Sequence, residues 1–331
     1  MGAEVAVVVN PIAGHGRTRR LWPAVAKAME ERGLAFDASY TAGPRDASRL
    51  AAEAARAGYR MIVSVGGDGT LNEVVNGFLG VDASARPEAR VGVVSCGTGC
   101  DLVRTLGIPR GVAGVAALAA GHSRLIDVGQ AAFHLPDGGG GLRYFVNAAD
   151  LGLGADVAER VNRGSKRLGG FLSFLAAAAI SIAKAEFKPV EYVLDDEPAV
   201  AVRAGLVFVA NGRYAAGGMH FAPQAELDDG LLDVVILREI PRPELLFSLF
   251  PRVYRAAHIG HPQVLYRKAA RVVVSSPEPM LLEVDGELPG NAPVEFTIRR
   301  RALRIAVPAG QGQPDRCGAA DRRSLQASEM L

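Results

Sequence analysis

Four residues, Gly66-Gly67-Asp68-Gly69, end the apolar run Met61-Ile62-Val63-Ser64-Val65, and a helix-like pattern opens at Leu71. Glycines between a strand and a helix let backbone N–H groups point into one concavity, and the helix start adds partial positive charge. Together they form a cradle suited to phosphate. A lone carboxylate there repels phosphate, so Asp68 makes chemical sense if Mg²⁺ lies between. Mg²⁺ takes one or two carboxylates plus phosphate oxygens and waters. The plainer alternative is a tight turn with Asp68 as its cap.

Two further loops have the same build. Asn10-Pro11-Ile12-Ala13-Gly14-His15-Gly16 follows the first apolar run, and Cys96-Gly97-Thr98-Gly99-Cys100-Asp101 follows a later one. Three such loops at the carboxyl ends of strands stand where ligands bind in open α/β sheets. No GxxxxGK[ST] occurs, which excludes a P-loop enzyme. Leu102 stands where a dinucleotide fingerprint wants its third glycine, which argues against a Rossmann dehydrogenase.

The second half has its own acids. Tyr214-Ala-Ala-Gly-Gly-Met219 and Phe221-Ala-Pro223 precede a turn built on Asp228-Asp229-Gly230, and Glu283-Val284-Asp285-Gly286-Glu287 comes later. Asp-Gly is a strong hairpin signal by itself. Carboxylates here also match what phosphoryl transfer needs, one to accept a hydroxyl proton and others to hold metal. Residues two apart in an extended strand point the same way, so Asp285 and Glu287 are expected to share a face.

Elements must hold these loops in place. Over residues 1–127 strand-like runs (5–9, 36–41, 61–65, 91–94) alternate with helical patterns (18–32, 47–57, 71–78, 101–106, 112–120). That alternation predicts an α/β domain with a mostly parallel sheet. Residues 128–308 read differently. Strands at 144–147, 190–194, 199–210, 231–237, 271–275, 281–284 and 294–299 are joined by Gly, Pro and Asp turns, with helices at 168–184 and 243–257. This predicts a β-rich antiparallel domain, whose last strands are free to return to the first. Gly138 to Gly141 reads as a hairpin tip, and the polar tail 309–331 is expected to be disordered.

The 331 residues carry 37 Lys and Arg against 35 Asp and Glu, a net charge of +2, which gives no argument for nucleic acid. Three cysteines, Cys96, Cys100 and Cys317, make neither a disulfide framework nor a zinc site and fit a reducing cytoplasm. The opening MGAEVAVVVNP lacks the basic region of a signal peptide. The apolar stretch Leu168 to Ala183 is shorter than the roughly 20 residues that span a bilayer. The basic runs 163–167 and 299–301 read as solvated faces or as contacts to anionic lipid. His258 and His261 read as capping or packing residues, and Cys96 and Cys100 as small fillers.

In this order and spacing, NPIAGHG, GGDGTLNEVVNG, CGTGCD, Asp127-x-Gly129, Asn147 with GLGAD, YAAGGMHFAP, DDGLLD and DGE resemble the diacylglycerol kinase catalytic-domain family over about residues 3–307. That family includes bacterial lipid kinases and is related to sphingosine and ceramide kinases. The resemblance implies an NAD kinase-like α/β domain, a β-rich lipid-substrate domain, and ATP in the cleft between them. Asn10, Pro11, Ile12, Ala13, Gly14, Thr41, Gly66, Gly67, Asp68, Gly69, Thr70, Leu71, Asn72 and Thr98 would line the nucleotide. Asp68, Asp101 and Asp127 would surround catalytic Mg²⁺. A second, structural metal would fall on Asp229, the carbonyl of Leu231, and Glu226. Glu287 would be the base that deprotonates the lipid hydroxyl, with Asp285 orienting it or relaying the proton. The family pattern GTxND is broken by Cys100, which replaces the asparagine.

The function implied is transfer of the γ-phosphate of ATP to a lipid hydroxyl, such as that of diacylglycerol or a sphingoid base. The site would be cytoplasmic or peripheral at the inner membrane face, and a homodimer stays open. Two alternatives remain at this point, an NAD kinase-like enzyme of a soluble hydroxyl and a nucleotide-binding regulator without turnover.

Overall fold

The computed structural model describes residues 4–85, 89–135, 138–163 and 170–314. The chain forms two compact units, Met1–Ile126 with Ala302–Leu331, and Asp127–Arg301.

In the first unit the order is β1 (Val5–Val9), α1 (Arg17–Glu30), β2 (Phe36–Tyr40), α2 (Asp46–Arg56), β3 (Met61–Gly66), α3 (Asp68–Leu79), β4 (Arg90–Ser95), α4 (Asp101–Thr105) and α5 (Val115–Ala119). β1 pairs in parallel with β2 and with β3, and β3 in parallel with β4. Val9 lies opposite Tyr40 and Val65, and Gly66 opposite Ser95, so four strand ends share one edge. Val5, Val7, Val9, Met61, Val63 and Val65 pack with Val25 and Met29 of α1 and with Val115 and Leu118 of α5. The alternate set, Ala6, Val8, Ile62, Val91 and Val93, is buried as well. Burial on both faces is why these strands read as unbroken apolar runs. Behind them α2 and α3 touch closely. A Cβ on Gly77 would lie 2.0 Å from the Ser48 carbonyl oxygen. Glu73 accepts the N–H groups of Arg45 and Ala47, each at 3.1 Å, and so caps the start of α2.

The second unit uses β5 (His122–His134), β6 (Gly140–Phe145), β7 (Ala148–Gly152), α6 (Leu153–Arg163), α7 (Gly170–Ala183), β8 (Lys188–Leu194), β9 (Val200–Ala210), β10 (Leu232–Arg238), β11 (Val264–Ala269), β12 (Arg271–Ser275), β13 (Leu281–Val284) and β14 (Glu287–Ala306). The chain leaves the first unit inside β5 and returns to it inside β14. Pairing within this unit is antiparallel, including β5 with β6, β7 with β9 and β13, and β10 with β9 and β11. Its core gathers Phe145, Leu151, Val207, Leu232, Leu282 and Phe296. Phe145 meets Phe296 edge to face at 6.2 Å. A further cluster holds Ile182 of α7 with Phe208, Leu237, Leu245 and Leu249.

Several elements depart from the sequence reading. β5, β7, α6 and β11 were not expected, and the strand expected at 144–147 breaks at Val146 and Asn147 between β6 and β7. β5 mixes His122, Arg124 and Gln130 with apolar residues, which hides its strand character. α6 starts in the glycine-rich GLGAD stretch, where Asp150 accepts the Ala155 N–H at 2.8 Å and supplies the missing cap. The helix expected at 243–257 is a helical segment over 242–253 with one π turn, Leu245–Leu249. Most of the tail, from 315, lies outside the described residues, as do 164–169 with their basic run and Cys317. The tail's first part is ordered: β15 (Gln313–Pro314) pairs with Ser123 and His122.

Candidate active site

The three glycine loops meet at the shared strand edge of the first unit. Their glycines mark the contacts. A Cβ on Gly14 would lie 2.7 Å from the Cys96 carbonyl oxygen, and one on Gly97 would lie 2.7 Å from the Gly67 Cα. A Cβ on Gly66 would stand 2.5 Å from the Thr70 Oγ1. Gly14 also has φ +59°, a conformation that favours glycine. Asn10 Nδ2 donates to Thr70 Oγ1 at 3.0 Å, which ties the first loop to α3. These glycines thus let backbones touch, and the concavity they form is a consequence of that packing.

Asp68 is the first residue of α3, and no side chain caps that helix. Its carboxylate accepts the N–H of Cys100 at 2.6 Å and of Asp101 at 3.0 Å. Gly99 makes room for it, since a Cβ there would lie 2.4 Å from Asp68 Oδ2. Burial pushes the Asp68 carboxyl up from its ordinary value, while these amides, its own N–H and the Arg110 guanidinium pull it down. Asp68 therefore bridges the β3–α3 and β4–α4 turns with one N–H on each carboxylate oxygen, and the residue is half-buried. Gly69 and Thr98 are exposed beside it.

The other residues proposed for the nucleotide divide by burial. Ile12 is 70% exposed, whereas Leu71 and Asn72 are 2% and 1% exposed, so their side chains belong to the packing of α3. The Thr41 N–H donates to the Val9 carbonyl at 2.9 Å at the end of β2. Asp101 is buried and pairs with Arg104 at 2.7 Å. Arg110 was missed by sequence reasoning. Its guanidinium donates to the carbonyls of Thr98 at 2.8 Å and Gly99 at 3.3 Å, fixing the CGTGC loop. A lone arginine after a short helix leaves no motif from which to predict this.

Cys100 is buried, with φ +61° and ψ 42°. The left-handed region suits asparagine far better than cysteine, which gives a physical reason for the asparagine of the GTxND pattern. Cys100 Sγ lies 2.7 Å from the Ser95 hydroxyl and 3.3 Å from the Gly97 carbonyl. Both Cys96 and Cys100 are unlinked fillers of this turn.

In the second unit the acids are bound by its own backbone. Asp127 accepts the N–H of Gly230 and of Arg301, each at 2.6 Å, and is 1% exposed. It pins the DDGL turn to β14. Asp285 accepts three N–H groups, from Val146 at 2.8 Å, Asn147 at 3.1 Å and Ala148 at 3.0 Å. Asp285 and Gly286 have φ of +47° and +95°, and Val284 faces Glu287 across the turn. That is a two-residue primed hairpin turn and not an extended chain, so the shared face expected for Asp285 and Glu287 does not exist. Glu287 is exposed and makes no side-chain hydrogen bond or ion pair with the described residues.

Behind that turn, Asp150 of β7 and Glu283 of β13 lie directly opposite each other and share a hydrogen bond. Burial pushes Asp150 up to about 7 and Glu283 well above the ordinary carboxylate range. Burial of the two adjacent carboxyls therefore favours the protonated form of the pair. The two histidines serve separate ends: His258 Nε2 meets the Phe221 carbonyl at 3.0 Å and His261 Nε2 meets Glu244 at 3.1 Å. Arg299 stacks over Tyr144 at 5.5 Å and bonds its hydroxyl at 2.9 Å.

A glycine-lined strand edge bearing an acid is suited to phosphate, and curated proteins that this chain resembles are named as kinases. Residues 4–131 match the diacylglycerol kinase catalytic domain, and residues 147–307 match the YegS C-terminal NAD kinase beta sandwich-like domain. The chain belongs to the diacylglycerol kinase family. It is 31% identical to the diacylglycerol kinase of Staphylococcus carnosus (strain TM300), over 93% of this chain and 96% of that protein. It is 30% identical to the diacylglycerol kinase of Bacillus subtilis (strain 168), over 91% of this chain and 95% of that protein. A crystal structure of a diacylglycerol kinase from Bacillus anthracis str. Sterne shares the fold, with TM-score 0.67 and 20% identity over 92% of this chain and 97% of that one.

Proposed function

We propose that this kinase is ATP-dependent and phosphorylates a lipid hydroxyl, such as that of diacylglycerol or a sphingoid base. The observation that carries the reading is Asp68, partly exposed at the uncapped start of α3, where three packed glycine loops converge. Uncapped N–H groups at a helix start favour phosphate oxygens. The relatives named diacylglycerol kinase, aligned over nearly the whole chain, support a lipid as the acceptor.

Among the described residues no three His, Cys, Asp or Glu side chains gather to cage a metal. The first unit fits a metal that arrives with the nucleotide, held by a remaining lone pair of the half-buried Asp68 carboxylate and otherwise by phosphate oxygens and water. Bound there, Mg²⁺ would neutralise charge on the polyphosphate. Asp101 supports Asp68 through its backbone N–H, and Arg110 steadies the loop beside it.

The lipid hydroxyl oxygen attacks the γ-phosphorus, the bond to the β–γ bridging oxygen breaks, and ADP leaves. Glu287 takes the hydroxyl proton. Asp285 is a positioning residue, because its carboxylate is occupied by three amides of the β6–β7 turn. No helix among the described residues is long and apolar enough to cross a membrane. Contact with a bilayer would be peripheral, and Phe247, 79% exposed, and Ile180 on α7, 45% exposed, support it.

The reading is tested by ATP consumption in the presence of dispersed lipid, of NAD, and of neither. Lipid-stimulated ADP release is expected. Stimulation by NAD alone would favour a soluble acceptor, and no release under any condition would favour a regulator.

A further inference from the structure

The second metal that the family resemblance places at the DDGL turn does not fit this chain. Asp229 already has both oxygens engaged: Oδ1 accepts the Leu231 N–H at 3.0 Å, and Oδ2 accepts from Lys268 Nζ at 2.7 Å. Lys268 lies on β11 directly opposite Asp233 of β10, and its Nζ is 3.7 Å from Asp233 Oδ2. Asp233 is fully buried; the Tyr266 hydroxyl donates to its Oδ1, and its Oδ2 has no hydrogen-bond partner. Glu226, the third proposed ligand, is exposed, and its charge adds to the field that holds the ammonium.

We infer that the Lys268 ammonium is a built-in cation that replaces the divalent metal at this turn, so that the second unit holds its DDGL turn without metal. The geometry favours one compact monovalent charge. A lysine ammonium is a point charge on a flexible stem and can sit between two carboxylates. Mg²⁺ demands near-octahedral oxygens at about 2.0–2.1 Å. At the turn, one Asp229 oxygen is committed to a backbone N–H and the other to a cation, and an ammonium 2.7 Å from Asp229 repels any ion seeking the same oxygens. Asp127, holding the Gly230 N–H at 2.6 Å, fixes the turn from its other side without a metal. The buried Asp233 explains why a cation is needed at all: an unpaired carboxylate there would be costly.

The test uses the full chain without nucleotide. Its melting temperature is measured in excess Mg²⁺ or Ca²⁺ and in chelator, for the parent and for Asp68→Ala, so that metal bound at the first unit is told apart. Equal melting in both media, with no stoichiometric metal after dialysis, is expected. Lys268→Met keeps the stem and removes the charge. It should melt several degrees lower in chelator and regain most of that loss in divalent cation, while Lys268→Arg should stay metal-independent. Should Lys268→Met fail to fold, Lys268→Met with Asp229→Asn and Asp233→Asn removes the ammonium and both carboxylates it faces, and should fold with no response to metal. Three results would each overturn the inference. The first is chelator-sensitive melting of the parent that Asp68→Ala leaves in place. The second is a loss in Lys268→Met that divalent cation does not restore. The third is metal-responsive melting of the triple variant.

Discussion

In sequence, the GGDG turn of the first unit and the DDGL turn of the second unit are alike, with aspartate beside glycine at the edge of a strand. They differ in what already neutralises the acid. Asp68 is half-buried at an uncapped helix start and is held by two neutral backbone N–H groups at 2.6 and 3.0 Å. Asp229 faces a fixed ammonium at 2.7 Å. An acid can recruit an outside cation only where the fold has not supplied one. By that criterion a metal brought by a nucleotide is proposed at the GGDG turn, and none at the DDGL turn.

The comparison breaks most visibly at Asp68. Asp68→Ala should lower turnover by ~10³-fold or more, the scale of losing a central electrostatic contact in the transition state. It should also melt lower, because two charge-assisted hydrogen bonds worth about 1.5–3 kcal/mol each are lost. Steady-state rates and calorimetry on one preparation check both. Turnover near the parent's would leave Asp68 with a purely structural role.

Next in size is the contrast inside the DGE turn. Glu287→Gln should cut turnover by ~10²–10⁴-fold, as expected for a lost base, with nucleotide affinity within a few-fold and melting unchanged. Asp285→Asn should instead destabilise. Its amide group would face an N–H now bound by the carboxylate, at a cost of about 1–3 kcal/mol for the buried mismatch. Parallel kinetics, nucleotide titration and melting separate the two residues. Rate loss without loss of stability in Asp285→Asn would make it the base.

A smaller effect concerns the Asp150–Glu283 pair. Burial raises both carboxyls, Asp150 to about 7 from 3.8. Between those values the folded chain keeps a proton that the unfolded chain has released. This contribution is therefore full below pH ~4 and is lost as pH rises through about 7. In Asp150→Asn the slope of melting temperature across pH 5–8 should flatten, and an unchanged slope would show that the pair does not hold the proton.

The smallest expected change is in Cys100→Asn. It relieves a left-handed cysteine and should keep or modestly raise both activity and melting temperature. A severe loss would mean that the thiol contacts to Ser95 and Gly97 matter in themselves.

Much of the GGDG turn was legible because close backbone approach forces glycine, and glycine leaves a mark in sequence. Gly66, Gly97 and Gly99 are each required by a neighbour within 3 Å. The strands of the first unit were legible for a related reason, since burial on both faces writes an unbroken apolar run. The β-rich unit was harder to read. Lys268 is 39 positions from Asp229, and only the β10–β11 register brings them together. Asp285 and Asp127 act on backbone N–H groups, which carry no residue identity to read. β5 was missed because polar residues interrupt it, and Arg110 because its partners are carbonyls.

The most direct test of the central claim is mass spectrometry of a total lipid extract after incubation with ATP and Mg²⁺, with parent protein or Asp68→Ala. The account predicts a lipid alcohol converted to its phosphomonoester by the parent, dependent on Mg²⁺ and absent with Asp68→Ala. A parent that consumes ATP yet phosphorylates no lipid, or an Asp68→Ala variant that forms the same product at the same rate, would contradict it.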